Sequence, residues 1–265
     1  MATVAYQEGR ASYPGEDLRF GIKLAAAMAL TAVAGFSLHY LMGRSSFSAP
    51  LRVHLHAAAY FGWIALFVTQ SWLGSSGRRE MHRRLGWFSL AWMGFMIVMG
   101  CWVMTATVRA GTAPFFFRPQ MFLIQNPGTI AVFIGLTSAA ITLRRRTDWH
   151  VRLHVCGLAA IMGPAFGRLL PMPLLIPYAF EAAAGAGLIF PLAGALRDLR
   201  KEGRVHPAWW TGMAVIVLAL LALNLLAHSP AGGAIYRAVT DGTPGASVAP
   251  LEFAPPPGAP RIAST

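Results

Sequence analysis

The chain alternates long apolar runs with short, polar and arginine-rich connectors. Each run has about the 20 predominantly apolar residues that a helix needs to cross the hydrocarbon core of a bilayer. The pattern therefore predicts an all-α fold, a polytopic membrane helix bundle of about seven transmembrane helices. The predicted spans are residues 21–42, 52–73, 86–106, 121–143, 151–170, 175–196 and 208–228.

The predicted spans define three parts of the chain. Residues 1–20 form a polar N-terminal tail, and residues 21–228 form the membrane domain. Residues 229–265 are rich in Pro, Gly and Ala and are expected to extend as a tail without regular structure, apart from one short helix near residues 231–240. Pro164 is expected to bend the fifth span.

The basic residues predict the orientation of the spans. Under a seven-helix count, every cluster of three or more Lys or Arg falls on one side: Arg10, Arg19 and Lys23; Arg78, Arg79, Arg83 and Arg84; Arg144, Arg145, Arg146 and Arg152; Arg197, Arg200, Lys201 and Arg204. Because positive connectors stay in the cytoplasm, we expect the N-terminus inside, the C-terminus outside, and a location in the bacterial inner membrane.

Composition supports a lipid environment. The chain is 55% hydrophobic and 12% charged, about half the charged fraction of a typical soluble domain. Its net charge of +12 would suggest nucleic acid in a soluble protein. Here the arginines stand between apolar runs, so nucleic acid is not expected as a partner. Two cysteines at different depths, Cys101 and Cys156, predict no disulfide.

Histidines are the main candidates for chemistry, and they divide between the two predicted faces. On the outer face, His39 ends the first span, and His54 and His56 open the second. His54 and His56 are two residues apart, about 200° around a helix, so they cannot face the same site. The remaining histidines of interest lie at the inner face: His82, and the pair His150 and His154, which share one helix face.

Each face could therefore assemble two imidazoles from different helices. A b-type haem takes two such imidazoles on opposite sides of its iron. Imidazole chemistry allows a metal site from the same residues equally well. The other two histidines, His206 and His228, stand alone at helix ends and are interpreted as interfacial residues. The same interpretation applies to a belt of Trp residues, namely Trp87, Trp149, Trp209 and Trp210.

Glu181 is the one carboxylate inside a predicted span, where a charge is costly and marks a functional or structural partner. Arg168 precedes it across a tight hairpin at similar depth, so an ion pair between them is the first expectation. The alternative is a polar pocket that Gln125 and Asn126 join, and that binds a quinone headgroup or carries protons.

Three stretches carry a resemblance to a known group of proteins. They are HLHAAAYFGWIALFVTQSWLGSSGRREMHRRLGW, RRRTDWHVRLHVCGLAAIMGPAFGR and RDLRKEGRVHPAWW, which together cover roughly residues 50–210. They resemble an uncharacterised family of multi-helix bacterial inner-membrane proteins with HRRLG, basic-run-His and GPxxxR segments. Val151 and Arg152 follow His150 where that family commonly has Lys-Arg. The histidine placement is also loosely similar to transmembrane b-type cytochromes, which is an association at the level of fold.

Three functional hypotheses follow from the sequence. The first is a haem-binding membrane protein that passes electrons between a quinone and a partner. The second is a non-enzymatic accessory or assembly subunit that docks in the bilayer against a larger respiratory or photosynthetic complex. The third is a proton-coupled small-molecule transporter that depends on Glu181.

Overall fold

The computed structural model describes residues 16–255, and within that range it contains helices and connectors but no strand. Its α-helices are α1 (Glu16–Leu41), α2 (Leu51–Ser75), α3 (Arg79–Arg109), α4 (Pro119–Thr142), α5 (Thr147–Ala160), α6 (Gly163–Leu169), α7 (Ala179–Ala186), α8 (Ile189–Glu202), α9 (Pro207–Ala227) and α10 (Pro230–Thr240). The expected all-α fold is confirmed. Most of the predicted N-terminal tail, with Arg10, and the last ten residues, 256–265, lie outside the described range.

Five of these helices, α1, α2, α3, α4 and α9, are long and apolar enough to cross a membrane. A sixth span results if the bent pair α7 and α8 is taken together. Large apolar side chains on these helices point away from the bundle; Leu218 and Leu225 of α9, for example, are 65% and 74% exposed. Because water would penalise so much exposed apolar surface and lipid does not, the fold is that of a multi-pass membrane protein.

The fifth and sixth predicted spans are broken. The fifth divides into α5 and α6, and Pro164 occupies the first turn of α6. Proline has no N–H for the helical ladder, so a helix restarts at such a position more easily than it continues through it. The sixth divides into α7 and α8, with a bend of 40° between them.

Close helix approach in the bundle depends on glycine. Gly212 of α9 lies directly against Cys156 of α5, and Gly194 of α8 lies directly against the Trp209 ring. Small residues let membrane helices pack backbone to backbone, where lipid gives no hydrophobic drive for association. Cys156 is fully buried in this contact, and both it and Cys101 are free thiols, as the sequence predicted.

The chain after α9 folds back over the C-terminal ends of α3 and α9 and the N-terminal end of α4. Here α10 forms where one short helix was expected, and a 3₁₀ turn (Pro244–Ser247) follows it. The buried Tyr236 hydroxyl donates to Gly245 O at 3.1 Å, and Gln120 N donates to Pro250 O at 2.8 Å. Residues 230–250 are thus docked, which differs from the extended tail expected from their composition.

Candidate functional site

The inner-face histidines come together from two helices. His82 lies in the first turn of α3 and His150 in the first turn of α5, and their ring centroids are 6.2 Å apart at an interplanar angle of 78°. His154, one turn further along α5, packs edge-on against His150 at 4.6 Å. The sequence predicted this group of three.

The first turn of α3 extends beyond the predicted span, which began at residue 86. Glu80 accepts hydrogen bonds from Arg83 and Arg84 at 2.7 and 2.8 Å, three and four residues later in the helix. Such pairs stabilise an exposed helical turn. The extra turns of α3 carry His82 as part of a regular helix rather than of a connector.

Both inner rings are oriented by backbone carbonyl groups of neighbouring helices. His82 Nδ1 donates to Gln70 O of α2 at 3.2 Å, and His150 Nδ1 donates to Ala140 O of α4 at 2.8 Å. A carbonyl can only accept, so the proton of each neutral ring is on Nδ1 and each Nε2 carries a free lone pair. A histidine that ligates a metal usually has its other ring nitrogen held in this way.

The arrangement offers two imidazoles from separate helices, which is the number that a haem iron takes. Structural and catalytic metal sites take three or four protein ligands. Within residues 16–255, no three His, Cys, Asp or Glu side chains are placed to hold one ion. A haem iron needs only two imidazoles, and with bonds of about 2 Å on each side their ring centroids would be roughly 6 Å apart. The His82–His150 separation matches that spacing.

The outer-face histidines are not paired in this way. His54 Nε2 donates to Phe47 O at 3.2 Å, and its ring stacks on Phe47 in the α1–α2 connector. His56 points to α3, where its Nδ1 is 3.4 Å from Met99 O, and it packs on the Tyr60 ring at 4.4 Å. The two side chains diverge as their spacing predicted. In the part of the chain that the structure describes, no ring contact joins His39 to either of them.

The expected ion pair between Arg168 and Glu181 is wrong. Arg168 lies over the Phe36 ring of α1 at 3.9 Å and donates from Nη1 to Pro164 O at 2.7 Å, while its buried Nε has no partner. Glu181 instead accepts a hydrogen bond from Asn224 Nδ2 of α9 at 2.8 Å. Arg168 lies on α6 and faces α1, whereas Glu181 lies on α7 and faces α9. The two residues belong to separate short helices on either side of the hairpin, so they do not meet.

The predicted polar pocket is reduced to a small cleft beside Glu181. The second carboxylate oxygen, Oε2, is buried without a hydrogen-bond partner. It borders a cavity of about 10 Å³, room for one water molecule, that is lined mainly by aromatic rings and by Arg118. A quinone headgroup does not fit this cleft as it stands.

Gln125 and Asn126 do not join Glu181. Asn126 Nδ2 bonds within its own helix to Phe122 O at 2.8 Å. Gln125 is fully buried in α4, and neither its Nε2 nor its Oε1 has a partner. The four residues predicted as one polar constellation thus take four different environments.

The most heavily buried charges form a network that the sequence reasoning missed. Asp198 of α8, which is 1% exposed, accepts two bonds from the Arg152 guanidinium, Nε and Nη2 each at 3.1 Å. Trp209 Nε1 donates to the same carboxylate at 2.9 Å, and Arg197 Nη1 lies 3.7 Å away. The network ties α5, α8 and α9 together at the inner end of the bundle.

Two earlier interpretations change because of this network. Trp209 is 2% exposed and serves as a buried hydrogen-bond donor, whereas Trp87 and Trp210 are exposed as the belt requires. His206 is not solitary either. Its Nε2 donates to Asp148 Oδ2 at 2.9 Å, and its Nδ1 accepts from Ala208 N and so caps α9.

The Asp148–His206 pair predicts a small, acid-sensitive contribution to stability. Burial would raise the pKa of the Asp148 carboxyl, but the hydrogen bond from His206 and nearby backbone N–H groups outweigh burial and hold that pKa below its usual value. A depressed carboxyl pKa stabilises the fold above the ordinary pKa of about 3.9, and the benefit is lost as pH falls through the lower folded value.

We therefore expect Asp148→Asn to lower the free energy of unfolding at pH 7 by less than about 1 kcal/mol, because Asp148 is 37% exposed. The melting temperature in detergent should fall slightly. The difference from wild type should persist at pH 5 and shrink progressively as the pH falls below about 3.9. A difference that stays constant down to pH 3 would show that the charge of Asp148 does not stabilise the fold.

Comparison with protein-family models, with curated proteins and with solved structures gives no match for this chain. Its function therefore has to be argued from its own geometry.

Proposed function

We propose that this chain crosses the bacterial inner membrane seven times and binds one b-type haem between His82 and His150 for electron transfer. The threading is supported by five continuous spans and by the broken span α7 with α8. To these we add α5 with α6 as a second broken span, which gives seven. Broken helices are tolerated at membrane depth where neighbouring helices bury them. Near the break of the fifth span, Ala160, Met162 and Ala165 are buried at 4%, 2% and 4% exposure.

The proposed orientation places the arginine-rich connectors in the cytoplasm. The described connectors between α2 and α3, α4 and α5, and α8 and α9 carry these clusters, and they share one end of the seven-span arrangement. A cytoplasmic reporter fused after Gly203 should be active, and one fused after Thr265 inactive. The reverse result, or activity at both points, would contradict the threading.

The observation that carries the haem proposal is the orientation of the inner histidines. Each Nδ1 is engaged by a helix carbonyl, and the two rings lie on separate helices with their centroids 6.2 Å apart, so His82 and His150 would hold the haem through their Nε2 atoms. Gln70 O and Ala140 O would hold the two imidazoles against rotation, and helices α2 and α4 would fix their separation. Among residues 16–255, no ring contact pairs two histidines at the predicted outer face, so one haem is proposed rather than two.

A haem held there would supply one-electron chemistry, which a chain of ordinary side chains lacks. The role of His82 and His150 is to ligate and to orient. The role of α2 and α4 is to keep the ligands rigid. His154 packs behind His150 and limits its movement. The electrons would pass between a quinone and a protein partner. This part of the proposal comes from the sequence alone.

A second candidate function is supported at the outer face. The unpartnered Glu181 Oε2 beside a water-sized cleft is the arrangement of a carboxylate that could exchange protons. This supports the proton-coupled transporter hypothesis. Uptake that is lost in Glu181→Gln while the protein still folds would favour it over the haem proposal.

Haem content tests the leading proposal. The full chain, expressed with a haem precursor and purified in mild detergent, should hold about one b-type haem per chain that dithionite reduces. A monodisperse, folded protein that holds no haem under these conditions would contradict the proposal. If the haem-free protein then co-purified with a respiratory or photosynthetic complex, the accessory-subunit hypothesis would replace it.

A further inference from the structure

An apolar groove lies on the lipid-facing side of the bundle between α4, α5 and α9. It encloses about 540 Å³, and its floor is formed by small residues of α4, namely Ala131, Gly135 and Ala139. Val215 of α9 and Leu153 of α5 form its walls. A side chain added at Gly135 would meet nothing within 4 Å, so the groove is open at this position.

The length of the groove matches one leaflet of a bilayer. From Ala131 to Leu143 the axis of α4 rises about 18 Å. Half of a hydrocarbon core is roughly 15 Å deep. The groove therefore has the length of a lipid acyl chain that starts at the membrane surface and ends near the midplane.

Three exposed arginines stand at the surface end of the groove. Arg144, Arg145 and Arg146 follow directly after Leu143, which lines it. The Arg146 guanidinium lies 5.2 Å from the ring centroid of Trp149, which is itself a lining residue. Among residues 16–255, no carboxylate forms an ion pair with any of the three arginines. Positive charge at the mouth and apolar surface below it complement the two parts of an anionic lipid.

We propose that this groove is a binding site for one anionic phospholipid, with its phosphate on the Arg144–Arg146 cluster and one acyl chain along Ala131, Gly135 and Ala139. Basic pockets between membrane helices are typical sites for anionic headgroups. Trp149 joins the two parts of the site, since its ring contacts Arg146 and lines the groove. The proposal rests on the membrane-embedded fold and does not depend on haem binding.

The test compares phosphatidylglycerol with phosphatidylcholine of the same acyl chains, added to the purified full chain in detergent. A lipid that binds only the folded protein raises its melting temperature. We expect phosphatidylglycerol to raise it by about 2–4 °C more than phosphatidylcholine does. Equal effects of the two lipids would overturn the proposal.

Two variants locate the effect, and each has a matched control. Gly135→Leu should fill the groove and abolish the preference, whereas Gly94→Leu, at an equally open position on α3, should keep it. The triple variant R144Q/R145Q/R146Q should lose the preference, whereas R79Q/R83Q/R84Q, on another basic connector, should keep it. A preference retained in Gly135→Leu would overturn the proposal.

Two further outcomes assign the groove to another occupant. If glycerol phosphate stabilises the protein as much as phosphatidylglycerol does, the arginines bind a free anion and the acyl site is refuted. If lipid-free protein is a dimer that Gly135→Leu makes monomeric, a second copy occupies the groove and the lipid proposal is overturned. Haem content measured on Gly135→Leu separates this result from the proposed function, because Gly135 lines the groove and neither His82 nor His150 does.

Discussion

Asp198→Ala should destabilise the protein by about 3–5 kcal/mol, the cost of removing one partner from a buried ion pair. The substitution takes away the carboxylate that accepts two bonds from Arg152, which is 4% exposed, and one from Trp209. The guanidinium would keep its bond to Asp148 O at 3.1 Å but would lose this counter-charge. Thermal or SDS-induced unfolding of the purified chain, with wild type alongside, measures the effect.

The control for this prediction is an exposed ion pair on the same face. Glu80→Ala removes both carboxylate contacts to Arg83 and Arg84, whose side chains are 72% and 79% exposed. Such surface pairs contribute about 1 kcal/mol or less. If Asp198→Ala lowers the free energy of unfolding no more than Glu80→Ala does, the buried network does not hold α5, α8 and α9 together.

His82→Ala and His150→Ala should each lower haem content at least about tenfold. Loss of an outer-sphere partner alone weakens metal binding 10–100-fold, and removal of an axial ligand should cost no less. The two histidines lie on different helices, so equal losses in both variants would indicate that one haem is shared between α3 and α5. Absorbance of the Soret band per folded chain is the measurement.

His54→Ala is the matched control. Its ring faces the α1–α2 connector, 6.4 Å from Phe47, and takes no part in the inner group. Haem content should therefore equal that of wild type. Full haem in His82→Ala or His150→Ala would exclude the proposed ligand pair, and loss of haem in His54→Ala would move the site to the outer face.

The long spans and the inner histidine group could be predicted from the sequence because both depend on local spacing. Apolar runs of about 20 residues fix where a helix can cross lipid. The four-residue spacing of His150 and His154 fixes a shared helix face. His82 could be added to this pair because it lies at a similar predicted depth, and the structure brings its helix, α3, next to the start of α5.

The partners of the buried charges could not be predicted in the same way. Arg168 and Glu181 are close in sequence and similar in depth, yet the break between α6 and α7 turns them toward different helices. The sixth predicted span ends at residue 196, so Asp198 falls in the basic connector that follows it, among Arg197, Arg200 and Lys201. A single acidic residue within a basic run indicates that its side chain could form an ion pair with a buried residue of another helix. Asn224, a strongly polar residue within α9, was a similar signal for Glu181.

Electron paramagnetic resonance of the oxidised wild-type chain tests the central claim most directly, because the signal reports both axial ligands of the iron. With two neutral imidazoles whose planes lie near perpendicular, as the 78° between His82 and His150 indicates, we expect a strongly anisotropic low-spin ferric signal. A high-spin signal from iron with one imidazole or none, or no haem signal from folded protein, would contradict the account.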